Sequence, residues 1–248
     1  MTQAPLDSGR PVALVAPAKL TLDLRITGVR GDGYHLIEAE MVTLDLADTV
    51  RMGPGDAFEV IDATTGEGLA VDAGDDNLVR RALALVGRTA RVQLEKRIPA
   101  GAGLGGGSAD AAAVLRWAGF TDLDAAARLG ADVAFCLVGG RARVSGIGEI
   151  VQPLPFVART LTLWTPPFGC STPAVYRAWD DLGAPTGGGG NDLEPAALVV
   201  EPRLAEWRDR LAEVSGQRPR LAGSGSTWFV EGAVPGEGRV VVHTTPAG

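Results

Sequence analysis

Histidine, cysteine and tyrosine are nearly missing from this chain, with two of each in 248 residues. Two imidazoles, His35 and His243, argue against a multi-histidine metal centre. Two thiols, Cys136 and Cys170, offer neither a disulfide framework nor a zinc site and suit a reducing compartment. Acidic residues outnumber basic ones, for a net charge of −7, and no basic stripe exists to neutralise a phosphate backbone, which argues against a nucleic-acid partner. No segment is long and apolar enough to cross a bilayer. The first ten residues are polar, without the apolar centre of a signal peptide or the Arg/Ser richness of a transit peptide. The expectation is a cytoplasmic enzyme of one large or two modest domains acting on a small molecule. Oligomeric state leaves no mark on the sequence. Lysine is scarce as well: of 23 basic residues only Lys19 and Lys96 are lysine. Either this is a compositional accident, or lysine is kept where a compact ammonium is needed.

What the chain does have is glycine in one place. Residues 99–108 read Pro99-Ala100-Gly101-Ala102-Gly103-Leu104-Gly105-Gly106-Gly107-Ser108 and pass directly into Ala-Asp-Ala-Ala-Ala-Val-Leu. Glycine lets backbone N–H groups approach a ligand that a Cβ would hold off. A helix starting beyond the loop adds unpaired N–H donors and the positive end of its dipole. Together they predict an anion cradle for nucleotide phosphates. A flexible linker is the bland alternative, but linkers are seldom followed at once by so strong a helix former. Gly101, Gly103 and Gly106 formally satisfy G-x-G-x-x-G, yet the context is wrong for a dinucleotide fold, because Lys96-Arg97-Ile98-Pro99 separates the strand from the loop. No Gly-Lys-Ser/Thr follows, which excludes a Walker loop, and the protein-kinase motifs are missing.

Periodicity predicts a strand over 19–26 with Leu20, Leu22, Leu24 and Ile26 inward and Lys19, Thr21 and Asp23 on the other face. A turn at 31–33, a strand near 42–46, a helix from Asp76-Asn77-Leu78 to Val86, a strand over 91–95 and a helix over 108–118 follow. Thr121 reads as the cap of a short helix ending at Gly130, and a strand is expected near 141–145. Pro153 and Pro155 mark a boundary, dividing the chain into 1–155 and 156–248. Beyond it come a strand over 160–164, a helix with Thr172 as cap and Pro173 at its first position, a loop at 187–190, a helix over 203–214, and strands near 227–230 and 239–243. Strands and helices mix without regular βαβ alternation, so the fold class is α+β in two parts.

Three separated segments, Ala16-Pro17-Ala18-Lys19-Leu20, the loop 99–108 and Leu221-Ala222-Gly223-Ser224-Gly225-Ser226, resemble the three motifs of the GHMP kinases, in that order. Gly31-Asp32-Gly33-Tyr34-His35, Asp76-Asn77-Leu78, Leu129-Gly130-Ala131-Asp132-Val133 and Asn191-Asp192-Leu193-Glu194 narrow the resemblance. They point to the branch that phosphorylates a cytidylylated methylerythritol in non-mevalonate isoprenoid synthesis. The resemblance runs from about residue 12 to 230. It implies a two-domain fold, with an N-terminal part like ribosomal protein S5 domain 2 and a ferredoxin-like C-terminal part.

The implied reaction moves the ATP γ-phosphoryl to the 2-hydroxyl of 4-(cytidine 5'-diphospho)-2-C-methyl-D-erythritol. By resemblance, Asp132 is the base and Lys19 sits beside it to stabilise the transferring group. From the residues alone, Asp132 reads sooner as a helix cap and Lys19 as an ordinary edge charge. The resemblance puts Pro99 to Ser108 around the ATP phosphates and Asn77 and Lys96 towards the adenosine. Tyr34 and Tyr176 would flank the cytosine, with His35 on its edge; Thr21 and Thr172 would lie beside the substrate. Magnesium is expected with ATP; Ser108 is one candidate ligand, and no carboxylate is committed. Five departures stand out. Ala134 replaces a usual proline, Thr21 a common asparagine and Ser226 a usual alanine or proline. The segment before Asp132 is short, and after Val230 a loop at 232–238 replaces a helix. The competing readings are a kinase of homoserine or mevalonate type, and a non-catalytic nucleotide-binding module.

Overall fold

The computed structural model describes residues 11–63, 65–68, 74–187 and 189–248. Two long antiparallel strands, β1 (Val12–Val29) and β2 (His35–Gly53), form its spine. β3 (Phe58–Asp62), α1 (Leu78–Leu85) and β4 (Arg91–Lys96) follow, then three helices, α2 (Gly106–Trp117), α3 (Leu123–Leu129) and α4 (Val133–Val138). The hairpin β5 (Arg141–Gly146) and β6 (Ile150–Pro153) precedes β7 (Thr160–Trp164). The remainder is α5 (Thr172–Asp181), α6 (Glu194–Val200), α7 (Leu204–Ser215), β8 (Arg220–Leu221), β9 (Trp228–Glu231) and β10 (Arg239–Thr245).

The ten strands form one hydrogen-bonded network, ordered β3-β4-β2-β10-β7-β9-β8, with β1 and β5 also on β2 and β6 on β5. Only β3–β4 among these strand pairs is parallel, which is the α+β class expected. β10 joins the two halves: residues 239–243 pair with β7, then Thr244 and Thr245 pair with Leu44 and Thr43 of β2. The loop at 232–238 therefore replaces a helix without costing the sheet its closing strand. Among the described residues no helix is long and apolar enough to cross a membrane.

β1 departs from simple alternation, and the departure makes the site. Its register against β2 shifts between Pro17 and Lys19 and again between Thr21 and Asp23. Ala16 and Leu24 pack into the large core with the helices, whereas Ala18, Leu20 and Leu22 pack into a second core with Leu44, Leu161, Leu163 and Phe229. The expected common inward face of Leu20, Leu22, Leu24 and Ile26 is thus corrected: an extra residue re-aims a bulged strand. The bulged stretch turns Lys19 and Thr21 to the side that Leu24 occupies, facing the cavity described below.

Local caps also differ from expectation. Asp122, not Thr121, caps α3 by accepting from the Ala125 N–H at 2.9 Å. Ser171 holds the N-cap position of α5 and Thr172 is its first residue, which frees the Thr172 hydroxyl. α2 begins at Gly106, two residues before the predicted start, so the last two loop glycines form its first turn. α4, α6, β3, β6 and β8 have no counterpart in the sequence reading; each is two to seven residues long, too short for periodicity to separate from a loop.

Candidate active site

The glycine loop is pinned on both sides. Ala102 and Leu104 are buried in the second core, and the Leu104 carbonyl accepts from the Lys19 N–H at 3.0 Å. The Gly101 and Ala102 carbonyls accept from the N–H groups of Ser226 and Thr227 at 3.2 and 3.1 Å. Gly103 has φ +78, and a Cβ there would sit 2.2 Å from the Ala222 carbonyl oxygen. Gly105 has φ +67 and lies over the Lys19 stem, where a Cβ would come within 2.7 Å of Lys19 Cγ. The glycines are thus needed as much for packing against β1 and residues 222–225 as for a ligand. Ala109 N–H donates to the Gly105 carbonyl at 2.8 Å, so the N–H groups of Gly106, Gly107 and Ser108 precede the first intrahelical bond of α2.

Lys19 is 4% exposed. Its Nζ lies 3.1 Å from Asp132 Oδ2 and donates to Thr21 Oγ1 at 3.2 Å. Asp132 occupies the N-cap position of α4, yet its side chain makes no capping bond there; the carboxylate is turned to Lys19 instead. The helix-cap reading of Asp132 fails on this geometry. Gly148 lets the β5–β6 turn close on the preceding residue, since a Cβ there would sit 2.3 Å from the Ala131 carbonyl oxygen. Ala134 falls in the first turn of α4, where a backbone N–H has no intrahelical acceptor, so alanine and proline serve equally. Thr21, where asparagine is common, accepts from Lys19 Nζ through its hydroxyl.

Lys96, at the end of β4, is held between two buried carboxylates. Its Nζ donates to Asp48 Oδ2 and, at 2.6 Å, to Asp110 Oδ2. Asp48 Oδ1 also accepts from the N–H groups of Arg97 and Ile98, at 2.5 and 2.8 Å. Asp110 is 1% exposed, and its Oδ1 has no hydrogen-bond partner among the described residues. Burial pushes the Asp110 carboxyl up to about 7, Lys96 opposing and Asp48 adding to the rise. Burial works against the Lys96 charge, but Asp110 and Asp48 outweigh it and raise that ammonium above its usual range. Neither carboxylate was singled out in the sequence. For Asp110 the signal was there: a lone acid in an otherwise apolar Ala-Asp-Ala-Ala-Ala run. Asn77 caps α1, accepting from the Val79 N–H at 2.9 Å.

At the opposite end, Arg30 and Asp32 pair at 2.8 Å across the turn before Tyr34, and the Arg30 guanidinium lies 5.3 Å from the Tyr34 ring centre. Tyr34 itself is 58% exposed. The Tyr176 ring stacks at a tilt on His35, with centres 4.8 Å apart, and burial, with Asp132 adding, raises its hydroxyl above the usual tyrosine range. Thr172 Oγ1 meets Ser224 Oγ at 2.7 Å, tying α5 to the third glycine segment. Asn191 braces that segment, its amide donating to the Leu221 and Gly223 carbonyls at 2.9 and 2.7 Å.

All the residues assigned from sequence to catalysis, ATP and substrate line one cavity of about 1020 Å³. The same walls carry Arg81, Asp110, Arg177, Asp180 and Ser224, which the sequence reading had not placed there. Among the described residues no group of three or more His, Cys, Asp or Glu is arranged to hold a metal. Cys136 and Cys170 are unpaired and buried, and burial pushes them up to about 12 and about 11.

Residues 77–140 match the model of the GHMP kinases N terminal domain. The chain is 42% identical over 237 residues to 4-diphosphocytidyl-2-C-methyl-D-erythritol kinase of Paracoccus denitrificans, covering 86% of this chain and 84% of that one. The enzyme of that name from Pelotomaculum thermopropionicum is 37% identical, with 88% of each chain covered. A crystal structure of 4-(cytidine 5'-diphospho)-2C-methyl-D-erythritol kinase superposes with a TM-score of 0.73 at 30% identity, covering 96% of this chain and 100% of the other. A homoserine kinase from Cytophaga hutchinsonii superposes at 0.56 with 16% identity, a likeness of fold alone.

Proposed function

The chain belongs to the 4-diphosphocytidyl-2-C-methyl-D-erythritol kinases of the GHMP kinase family, and from this premise we propose how its cavity does that work. It is an ATP-dependent kinase of isoprenoid precursor synthesis. Its acceptor is the 2-hydroxyl of 4-(cytidine 5'-diphospho)-2-C-methyl-D-erythritol. Residues 1–155 carry the nucleotide cradle, and 156–248 supply Thr172, Tyr176 and the third glycine segment.

The loop 99–108 and the first turn of α2 receive the triphosphate, with Asn77 and Lys96 on the side of the adenosine. The cytidine lies at the far end, between Tyr34 and Tyr176. The hydroxyl then falls beside Asp132, where the carboxylate takes its proton as the oxygen attacks the γ-phosphorus and the bond to the β–γ bridging oxygen breaks. Lys19 balances the charge that the transferring group spreads over its oxygens. The reading rests on one observation: buried Lys19 and half-buried Asp132 form an ion pair that lines the same cavity as the glycine loop and the His35–Tyr176 contact.

Magnesium enters this reading as a companion of ATP. The residues fit that role and not a resident site: Ser108 at the start of α2 supplies a hard oxygen, and Mg²⁺ typically keeps its waters and takes one or two protein oxygens plus phosphates. It would neutralise triphosphate charge. The cytoplasm is the compartment this reading assigns.

An ADP-release assay with three acceptors tests the reading. The cytidylylated alcohol is turned over, while homoserine and mevalonate are not. Turnover of either of those, with none of the cytidylylated alcohol, would sink it.

A further inference from the structure

One face of α5 clasps His35. Tyr176 and Asp180 stand one helical turn apart on it, with Trp179 beside them. His35 Nε2 lies 2.8 Å from Asp180 Oδ1. The imidazole stacks on Tyr176 and meets Trp179 edge-on, at 5.5 Å and 83°. Trp179 is itself fixed, its Nε1–H donating to the Pro185 carbonyl at 2.9 Å. The His35 side chain is 11% exposed against 49% for Asp180, so the ring is largely enclosed while the carboxylate reaches solvent. Among the described residues no hydrogen bond engages the other ring nitrogen, Nδ1, and His35 lines the cavity.

The chemistry of this contact fixes a tautomer. An ionised carboxylate only accepts, so Nε2 carries the hydrogen, and in the neutral ring Nδ1 is then a bare lone pair. Cytosine offers an amino donor at its 4-position, where uracil offers a carbonyl acceptor. A lone pair held there accepts from the first and repels the second.

We propose that Asp180 is a positioning residue that sets pyrimidine choice: it locks His35 in the Nε2–H tautomer, so that Nδ1 accepts a hydrogen bond from the 4-amino group of cytosine and disfavours uracil. This rests on the reading above that His35 meets the base.

Asp180→Lys inverts the chemistry, because an ammonium only donates and so requires Nε2 to be bare. Asp180→Glu restores an acceptor. With only two histidines in the chain, a His243→Gln variant assigns the imidazole signals in ¹⁵N spectra. The wild type and Asp180→Glu are expected to show a bare Nδ1, and Asp180→Lys a protonated one. In Asp180→Lys, KM for the cytidylylated alcohol rises roughly tenfold, as for one misplaced hydrogen bond. KM for its uridine analogue does not rise with it, and kcat and KM for ATP hold. A charge effect on the diphosphate would move both analogues together. If wild-type His35 carries its hydrogen on Nδ1, the lock is wrong. It is equally wrong if Asp180→Lys leaves the cytidine-to-uridine ratio intact while His35→Ala lowers it, although His35 then still meets the base. If His35→Ala itself leaves that ratio unchanged, the base site is misassigned and the proposal falls with it.

Discussion

At the glycine-loop end of the cavity, backbone packs on backbone; at the His35 end, side chains from a strand start and one helix face make the wall. Gly103 presses on the Ala222 carbonyl and Gly105 on the Lys19 stem, with no room for a Cβ at either. Tyr34, by contrast, projects from a turn and is 58% exposed. Phosphates are alike in every nucleoside triphosphate, so a rigid lattice of N–H groups suffices to hold them. A particular base must be told from its neighbours, which requires side chains with chosen donors and acceptors. The Lys19–Asp132 pair stands where the two kinds of wall meet.

Breaking the junction has the largest expected effect. Asp132→Asn keeps the shape but cannot take the hydroxyl proton, and kcat should fall by about 10²–10⁴. The Asp132 side chain caps no helix bond, but its charge balances buried Lys19, so the thermal midpoint should fall somewhat while KM for ATP stays near wild type. A turnover within a few-fold of wild type would remove Asp132 as the base.

Next come two glycines of the same loop. Gly103→Ala meets both a left-handed backbone and the Ala222 oxygen at 2.2 Å, and should cost on the order of 2–5 kcal/mol of stability. Gly107→Ala has only Leu78 Cδ1 nearby, at 3.7 Å, so the fold should hold while KM for ATP rises. Thermal melts and KM values for both ligands separate the two. Equal melting losses would mean that the loop is not packed as described.

The tyrosines sharpen the contrast from the other end. Each ring removed should cost roughly 1–3 kcal/mol of binding to the base, read as a higher KM for the cytidylylated alcohol with KM for ATP fixed. Tyr34→Ala should do this without lowering the thermal midpoint. Tyr176→Ala should lower the midpoint as well, because that ring is packed on His35. If ATP affinity falls instead, the orientation of the whole pocket is reversed.

The same contrast explains what could be read from sequence. The glycine loop announced itself because backbone cradles need glycine, whose rarity in helix starts and strands makes a run of it visible. Asp132 and Lys19 were legible through the segments around them, whereas their 3.1 Å pairing depends on a strand bulge that alternation hides. Leu24 shows the cost: read as sharing the inward face of Leu20 and Leu22, it lies in the other core. Asp48 and Asp180 went unplaced because each acts through a residue distant in sequence; Asp110, only 14 positions from Lys96, shows in the sequence as a lone acid in an apolar run. Asp48 and Lys96 are 48 positions apart, and His35 and Asp180 are 145 apart.

Asp110 supports the smallest prediction, and it concerns the backbone-built end. Its carboxyl, buried and beside Asp48, is pushed up to about 7 in the folded chain, while an unfolded aspartate titrates near 3.9. Between about pH 4 and 7 the folded state therefore holds a proton that the unfolded state has released. Stability from this group is fully present below that window and is lost as pH rises through it. The Lys96 ammonium, raised above its usual range, titrates well above the window and leaves the sign unchanged. Glu194, also raised by burial, acts in the same direction but equally in both proteins compared. Asp110→Asn cannot titrate, so its thermal midpoint should gain on wild type as the buffer moves from pH 5 to pH 8. Melts at the two pH values measure that gap directly. A gap that does not change would mean that Asp110 stays ionised across the range, held by Lys96. The triad under the glycine loop would then carry a fixed net negative charge beneath the site proposed to receive ATP.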